Sequence, residues 1–304
     1  MIDVSICVCT FRRPDGLLRL LRSLARLDPA SPRHEIIVVD NDVERSGEAA
    51  VRQARAEGLD VQYLVEPVRG IARARNRAVG PARGEFVAFI DDDEEADPLW
   101  LVNLSAEVAR HGADAGIGPV LPRVVDGAPR WLVDGGFFDR PRPPTGTVLI
   151  RNGTRTGNAL VRRRYLTALD GPFDERFGLG GGEDTDLFMR LHALGCRVIA
   201  VDSAIVHEHL APNRTTVNWV LRRRFLIGMG GARCYAAENP GTRRGRQGAR
   251  WLASGLASGC AGLAVFPASR VAGMTRLAFA ARDLGRFAFY SGITYEPYAH
   301  DSWR

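Results

Sequence analysis

Four largely apolar stretches, each followed after a short turn by a helical pattern, constrain this chain more than any other feature. Residues 4–8, 35–39, 61–65 and 85–90 read as strands. Apolar spacing of three and four predicts helices over 17–27, 48–57, 71–79 and 98–110. Strands with near-continuous apolar runs, separated by helices, build a mostly parallel sheet covered on both faces. Ligands of such sheets sit beyond the carboxyl ends of the strands. The residues at those ends here are Thr10, Asp40, Asp42 and the run Asp91-Asp92-Asp93. Residues 113–145, rich in Gly, Pro and aromatics, read as irregular loops and strands. Further strands are predicted at 147–151, 157–161 and 198–201, and a helix over 183–194 with Gly195 closing it. From Thr215 the pattern is helical and basic. The expected division is therefore an α/β domain at 1–210 and a helical, basic and apolar extension at 211–304.

Charge narrows the partners. The chain of 304 residues carries 41 Lys+Arg against 35 Asp+Glu, and its arginines cluster late, at Arg222-Arg223-Arg224, Arg243-Arg244, Arg246 and Arg250. That suits phosphates or anionic headgroups. No basic run interleaved with aromatics appears, so nucleic acid is not an expected partner. Five cysteines without metal-ligand spacing point to a reducing, cytoplasmic setting, and the N-terminus lacks the basic region of a signal peptide. Cys7 and Cys9 alternate in a strand pattern and should face one side of the sheet. Residues 251–269 are uncharged and long enough to span a bilayer, yet diluted by Ala, Gly and Ser and broken by Pro267. A buried or interfacial helix pair is the expected reading, with a transmembrane span as the alternative.

The acidic run after the fourth strand carries the most chemistry. Adjacent carboxylates repel at the end of a buried strand unless a cation joins them. A divalent ion on phosphates is the natural partner, and hard oxygen ligands suit Mg²⁺ or Mn²⁺. In an extended segment Asp91 and Asp93 point the same way, whereas Asp92 faces elsewhere and is expected to tolerate replacement. The alternative is a solvated acidic cap for the helix predicted from Pro98.

Five segments in order resemble the family 2 glycosyltransferases of GT-A fold. They are Ile6-Cys7-Val8-Cys9-Thr10-Phe11-Arg12-Arg13, Val38-Val39-Asp40-Asn41-Asp42, Gly70-Ile71-Ala72-Arg73-Ala74-Arg75-Asn76, Phe89-Ile90-Asp91-Asp92-Asp93 and Gly182-Glu183-Asp184. Arg214-Thr215-Thr216, Trp219 and Arg222-Arg223-Arg224-Phe225 are similar to the exopolysaccharide branch, of succinoglycan type. The resemblance implies an inverting, metal-dependent transfer from a nucleotide-diphosphate sugar, a UDP-sugar, to a saccharide or lipid-linked acceptor. It implies a nucleotide-sugar site of Thr10, Arg13, Asp40, Asp42, Arg75, Asp91, Asp92 and Arg222, with Asp40 accepting from the nucleobase. Mn²⁺ or Mg²⁺ would be held by Asp91, Asp93 and His207, with Glu208 as an alternative to the histidine. Asp184 would be the base and Glu183 would orient the acceptor or share that task. A helix N-terminus weakens such a base, and burial beside a diphosphate restores it.

The basic tail next to an apolar stretch fits docking at the cytoplasmic face of the inner membrane, or equally a packing arm for a homodimer. Among other classes, a catalytically silent nucleotide-sugar-binding module has no need of intact Asp91, Asp93 and Asp184. A nucleotidyltransferase is expected to show a glycine-rich basic loop after the first strand, which Thr10-Phe11-Arg12-Arg13-Pro14 does not supply. An NAD-linked oxidoreductase lacks its Gly-x-Gly-x-x-Gly there. A glycosidase needs two carboxylates across a sugar, which adjacent Glu183 and Asp184 cannot provide.

Overall fold

The computed structural model describes residues 2–124, 127–150, 153–177, 180–241 and 243–293. In chain order the elements are β1 (Val4–Thr10), α1 (Pro14–Leu24), β2 (His34–Asp40), α2 (Glu48–Ala56), β3 (Gln62–Val65), α3 (Ile71–Val79), β4 (Phe86–Asp91) and β5 (Glu94–Ala96). There follow α4 (Trp100–Arg110), β6 (Ala115–Ile117), β7 (Val120–Val124), α5 (Arg130–Asp134), β8 (Ala159–Arg162), α6 (Arg163–Thr167), α7 (Glu183–Ala193), β9 (Val198–Ala200) and β10 (Val206–Leu210). Three long helices close the described chain: α8 (Val217–Glu238), α9 (Arg244–Val265) and α10 (Arg270–Tyr290).

The chain divides into two compact units. The first comprises residues 1–123, 140–179 and 183–209, and the second 124–139, 180–182 and 210–304. The first unit is built on a seven-stranded sheet of order β3-β2-β1-β4-β8-β6-β9. Pairing is parallel from β3 through β4, antiparallel on both sides of β8, and parallel again at β6–β9. The sheet is thus mostly parallel and flanked by helices, the α/β architecture of the GT-A fold.

Side-chain alternation along β1 sets the two faces. Ile6 and Val8 pack with Leu17, Leu20, Leu21 and Leu24 of α1, with α2, and with Trp100 and Leu104 of α4. Cys7 packs on the opposite side with α3 and α7, and Cys9 lies against that same cluster. The four α1 leucines are buried to 2% exposure or less, and each such side chain contributes about 1.5–3 kcal/mol by leaving water. A three-stranded sheet of order β5-β10-β7 adjoins the end of β4. The acidic run therefore does not cap a helix. The strand carries through Asp91, the chain turns at Asp92 and Asp93, and Glu94 begins β5, while α4 starts only at Trp100. The strand expected at 147–151 is reduced to one bridge, Val148 to Ile199, and Arg151 lies outside the described residues.

In the second unit α10 packs on both α8 and α9. The α9–α10 approach depends on glycine. A methyl group at Gly262 would lie 2.9 Å from the Leu277 side chain, and one at Gly255 would lie 3.0 Å from Leu284. Leu132 of α5, Phe137, Phe138, Val220 and Met274 form the apolar cluster of this unit. Residues 251–269 fall largely in α9, and no described helix is long and apolar enough to cross a membrane.

Candidate active site

The carboxyl ends of β1, β2 and β4 bring Thr10, Asp40 and Asp91 onto one rim, because the parallel register pairs Thr10 with Asp40 and Cys9 with Asp91. The acidic run meets cations supplied by the chain itself. Arg13 donates to Asp92 Oδ1 at 2.9 Å and to Asp93 Oδ2 at 3.0 Å. Thr10 Oγ1 donates to the other oxygen of Asp92, also at 2.9 Å. Asp92 is 5% exposed, and burial pushes its carboxyl up to about 6 against the pull of Arg13. Asp92 is thus not the outward-facing member that strand alternation predicts. The turn after β4 points it inward, where it fastens the β1 end to the acidic run. Asp91 and Asp93 remain the more accessible pair, with side-chain exposures of 43% and 18%. Desolvation at the strand end raises the Asp91 carboxyl, Arg75 opposes this, and the charge of Asp93 adds to the rise.

Arg75, on α3, ties this rim to the first turn of α7. Its Nη1 donates to Glu183 Oε1 at 2.6 Å, its Nη2 reaches Asp91 Oδ1 at 3.4 Å, and its guanidinium lies 5.5 Å from the centre of the Phe173 ring. Asn76 holds Phe173 by a reciprocal pair of hydrogen bonds, donating to its carbonyl at 2.8 Å and accepting from its amide at 2.9 Å. Glu183 is 4% exposed, and burial raises its carboxyl despite Arg75. Its Oε2 has no hydrogen-bond partner among the described residues. Asp184 is half-buried, and its Oδ1 accepts from the Thr185 amide at 2.7 Å. The two adjacent acids thus differ: Glu183 is locked inward by an arginine, and Asp184 stands half-buried in the first turn of the helix.

Asp40 has no exposed surface. Its Oδ2 accepts from the Gly47 amide at 2.6 Å and the Tyr63 hydroxyl at 2.8 Å, and its Oδ1 accepts from the Asp42 amide at 3.1 Å. Both oxygens are engaged from inside the fold. Asp40 therefore shapes the loop of residues 41–47. Asp42 is buried as well, accepting from Arg12 Nε at 2.9 Å. Burial would raise its carboxyl, and the Arg12 bond with neighbouring donors outweighs this and holds it low.

Five residues that the sequence motifs did not mark as a group join Asp91. Glu94, 1% exposed, accepts from the Asp91 amide at 3.0 Å, and burial plus the Asp91 charge push its carboxyl well up. Glu208 pairs with Arg140, whose charge also acts on Glu94 and Asp91. Burial and the nearby Arg140 lower Arg155 to about 10, while Glu94, Asp184 and Glu208 attract it. Gly157 closes the floor: a methyl there would sit 3.0 Å from both Asp91 Oδ2 and Glu94 Oε1. His207 does not join this group. Val206, Glu208 and Leu210 of β10 are buried, so His207 is turned to the other face, where burial and Arg123 lower its imidazole and Glu95 and Asp97 oppose them. The alternation Val206-His207-Glu208-His209-Leu210 already marks residue 208 as the inward one. Arg222 lies on α8 of the second unit.

Among the described residues no cluster of three His, Cys, Asp or Glu is preassembled for a metal ion. Asp91 and Asp93 nonetheless fit a hard divalent cation. They are close enough for the charge of Asp93 to raise Asp91, both are carboxylates, and both are partly open. Mg²⁺ and Mn²⁺ are commonly bound by one or two carboxylates, with substrate phosphates and water completing the shell.

Comparison with known proteins identifies the family and the fold. A sequence model described as Glycosyl transferase family 2 matches residues 5–168. The succinoglycan biosynthesis protein ExoM of Rhizobium meliloti (strain 1021) is 38% identical over 248 residues, covering 80% of this chain and 78% of that protein. The pre-mycofactocin glycosyltransferase of Mycobacterium tuberculosis (strain CDC 1551 / Oshkosh) is 29% identical over 74% of this chain and 46% of its own length. Among solved structures, the mannosyltransferase PcManGT from Pyrobaculum calidifontis in complex with GDP-Man and Mn2+ aligns over 98% of this chain and 77% of its own, with TM-score 0.59 and 18% identity. Residues 1–349 of S. aureus TarS in complex with UDP-GlcNAc align over 97% of this chain and 93% of their own, with TM-score 0.55 and 18% identity. These structural likenesses carry the fold, and the sequence matches carry the family: the chain belongs to glycosyl transferase family 2 and is a glycosyltransferase.

Proposed function

We propose that this enzyme transfers a sugar, with inversion, from a UDP-sugar to a saccharide on a lipid carrier during exopolysaccharide assembly at the cytoplasmic face of the inner membrane. The observation that carries this reading is the Arg75 bridge, which binds the donor-side carboxylate Asp91 to Glu183 and so fixes Asp184 beside it. The relative named for succinoglycan biosynthesis supports the pathway class, and the complexes of fold neighbours with UDP-GlcNAc and GDP-Man support a nucleotide-sugar donor.

In the transfer, an acceptor hydroxyl oxygen attacks the anomeric carbon from the face opposite the diphosphate. The new C–O bond forms as the C–O bond to the β-phosphate breaks, and the nucleoside diphosphate leaves with that electron pair. Asp184 takes the hydroxyl proton. Glu183, neutralised by Arg75, holds the first turn of α7 in place. Asp91 and Asp93 would hold Mn²⁺ or Mg²⁺, which supplies charge neutralisation for the departing diphosphate. Arg13 keeps Asp93 oriented, and Glu94 supports Asp91 by accepting from its amide.

A thermal-shift panel of nucleotide sugars with and without Mn²⁺ tests this. A metal-dependent rise in the melting temperature with a UDP-sugar is expected. A panel in which no nucleotide diphosphate stabilises the chain in a metal-dependent way sinks the proposal.

A further inference from the structure

Helix α9 is apolar on both of its faces. Its inward side carries the buried Gly248, Gly255 and Gly262, against which α10 packs. Its outward side carries Ala253, Leu256, Ala257, Cys260, Leu263 and Ala264, all exposed, Leu256 by 56% and Leu263 by 67%. Their spacing of three and four makes one stripe, roughly 17 Å long from first to last at 1.5 Å per residue. No charged side chain occurs between Arg250 and Arg270. A helix facing only water carries charge on its outer side, and a contiguous exposed apolar stripe marks an interaction surface.

Charge at the ends of the stripe identifies the occupant. Arg243, Arg244, Arg246 and Arg250 are exposed at one end, and Arg270 is exposed just past the other. Residues 211–304 hold 14 arginines against 4 acidic residues. Trp251 stands half-buried where the stripe begins, with the guanidiniums of Arg250 and Arg286 at 5.2 Å and 4.2 Å from its ring. Amphipathic rings of this kind favour the headgroup level of a membrane. A second copy of the chain would bring two sets of arginines together with few acids to neutralise them, whereas lipid phosphates neutralise them directly.

We propose that the outer face of α9 docks on an anionic lipid surface, lying in the interface with its arginines on the headgroups rather than crossing the bilayer. This deepens the membrane-side part of the reading above and uses none of its transfer chemistry. The test is co-sedimentation of the full chain with phosphatidylcholine vesicles, with and without phosphatidylglycerol, alongside the variant Leu256→Gln/Leu263→Gln. Both leucines are exposed, so the variant should keep its melting temperature. Wild type should bind the phosphatidylglycerol vesicles, bind less as salt rises, and lose about tenfold in affinity in the variant. Equal binding of wild type and variant, or no preference for phosphatidylglycerol, overturns the proposal. So does a dimer in sedimentation velocity that the variant dissociates without any vesicle binding. Donor-induced thermal shifts on the same preparations separate the two readings. Vesicle binding without a nucleotide-sugar response sinks the UDP-sugar reading alone, and the reverse sinks the docking alone.

Discussion

Arg75 and Glu183, 108 positions apart in sequence, meet at 2.6 Å in the first unit with both side chains under 10% exposed. The same guanidinium reaches Asp91, so one cation couples the end of β4 to the start of α7. Removing that cation leaves Glu183 as a buried acid without its partner. Arg75→Met should therefore destabilise the fold by about 3–5 kcal/mol, and the double variant Arg75→Met/Glu183→Gln should recover much of the loss. Urea unfolding of the four species closes the cycle. If the double variant is no more stable than Arg75→Met, the pair is not what anchors α7.

The split between Glu183 and Asp184 makes a kinetic prediction. Asp184→Asn should leave donor affinity unchanged and lower kcat by about 10²–10⁴, the usual contribution of a positioned base. Calorimetry with the donor and a transfer assay read the two effects separately. Turnover retained in Asp184→Asn would move the base role to Glu183.

The sheet and the rim were legible in sequence because buried parallel strands are written as apolar runs that end in polar residues, as at Ile90-Asp91 and Val39-Asp40. The partners were less so. The local i, i+2 rule makes Asp92 the odd member of its run, yet the turn into β5 directs it inward to Thr10 and Arg13, contacts 82 and 79 positions away. Arg140 and Arg155 lie in a stretch with no periodicity, so nothing local marks them as neighbours of Glu94 and Glu208. Asp40 reads as an exposed strand-end acceptor, and only the fold of residues 41–47 and the approach of Tyr63 reveal that its oxygens are already engaged.

Asp92 also sets a pH dependence. Its folded value of about 6 lies above the ordinary carboxylate value of about 3.9, so the folded state holds this proton more tightly than the unfolded one. A carboxyl raised on folding favours the fold when protonated, and that advantage fades as pH climbs from about 4 through 6. The full difference corresponds to roughly 3 kcal/mol, shared with its coupled neighbours. Asp92→Asn removes this titration. Its unfolding free energy should fall less steeply than that of wild type between pH 4 and 7, as read by chemical denaturation across that range. Parallel profiles would show that Asp92 is already ionised at low pH in the fold.

The register of β10 separates two neighbouring residues by the side of the strand they face. Glu208 faces Arg140 and acts electrostatically on Asp91, whereas His207 faces the other side with Glu95 and Arg123 as its charged neighbours. Glu208→Gln keeps the size of the side chain and removes the charge that balances Arg140, so Arg140 is left to compete with a bound cation for Asp91. The Mn²⁺-dependent part of the donor-induced thermal shift should weaken, corresponding to about a tenfold loss of metal affinity, the scale seen when an outer partner of a metal ligand is lost. His207→Ala should leave that response intact, because its imidazole is on the opposite face of the strand. The reverse pattern, with His207→Ala losing the metal response and Glu208→Gln keeping it, would require β10 to present its other face when the donor binds.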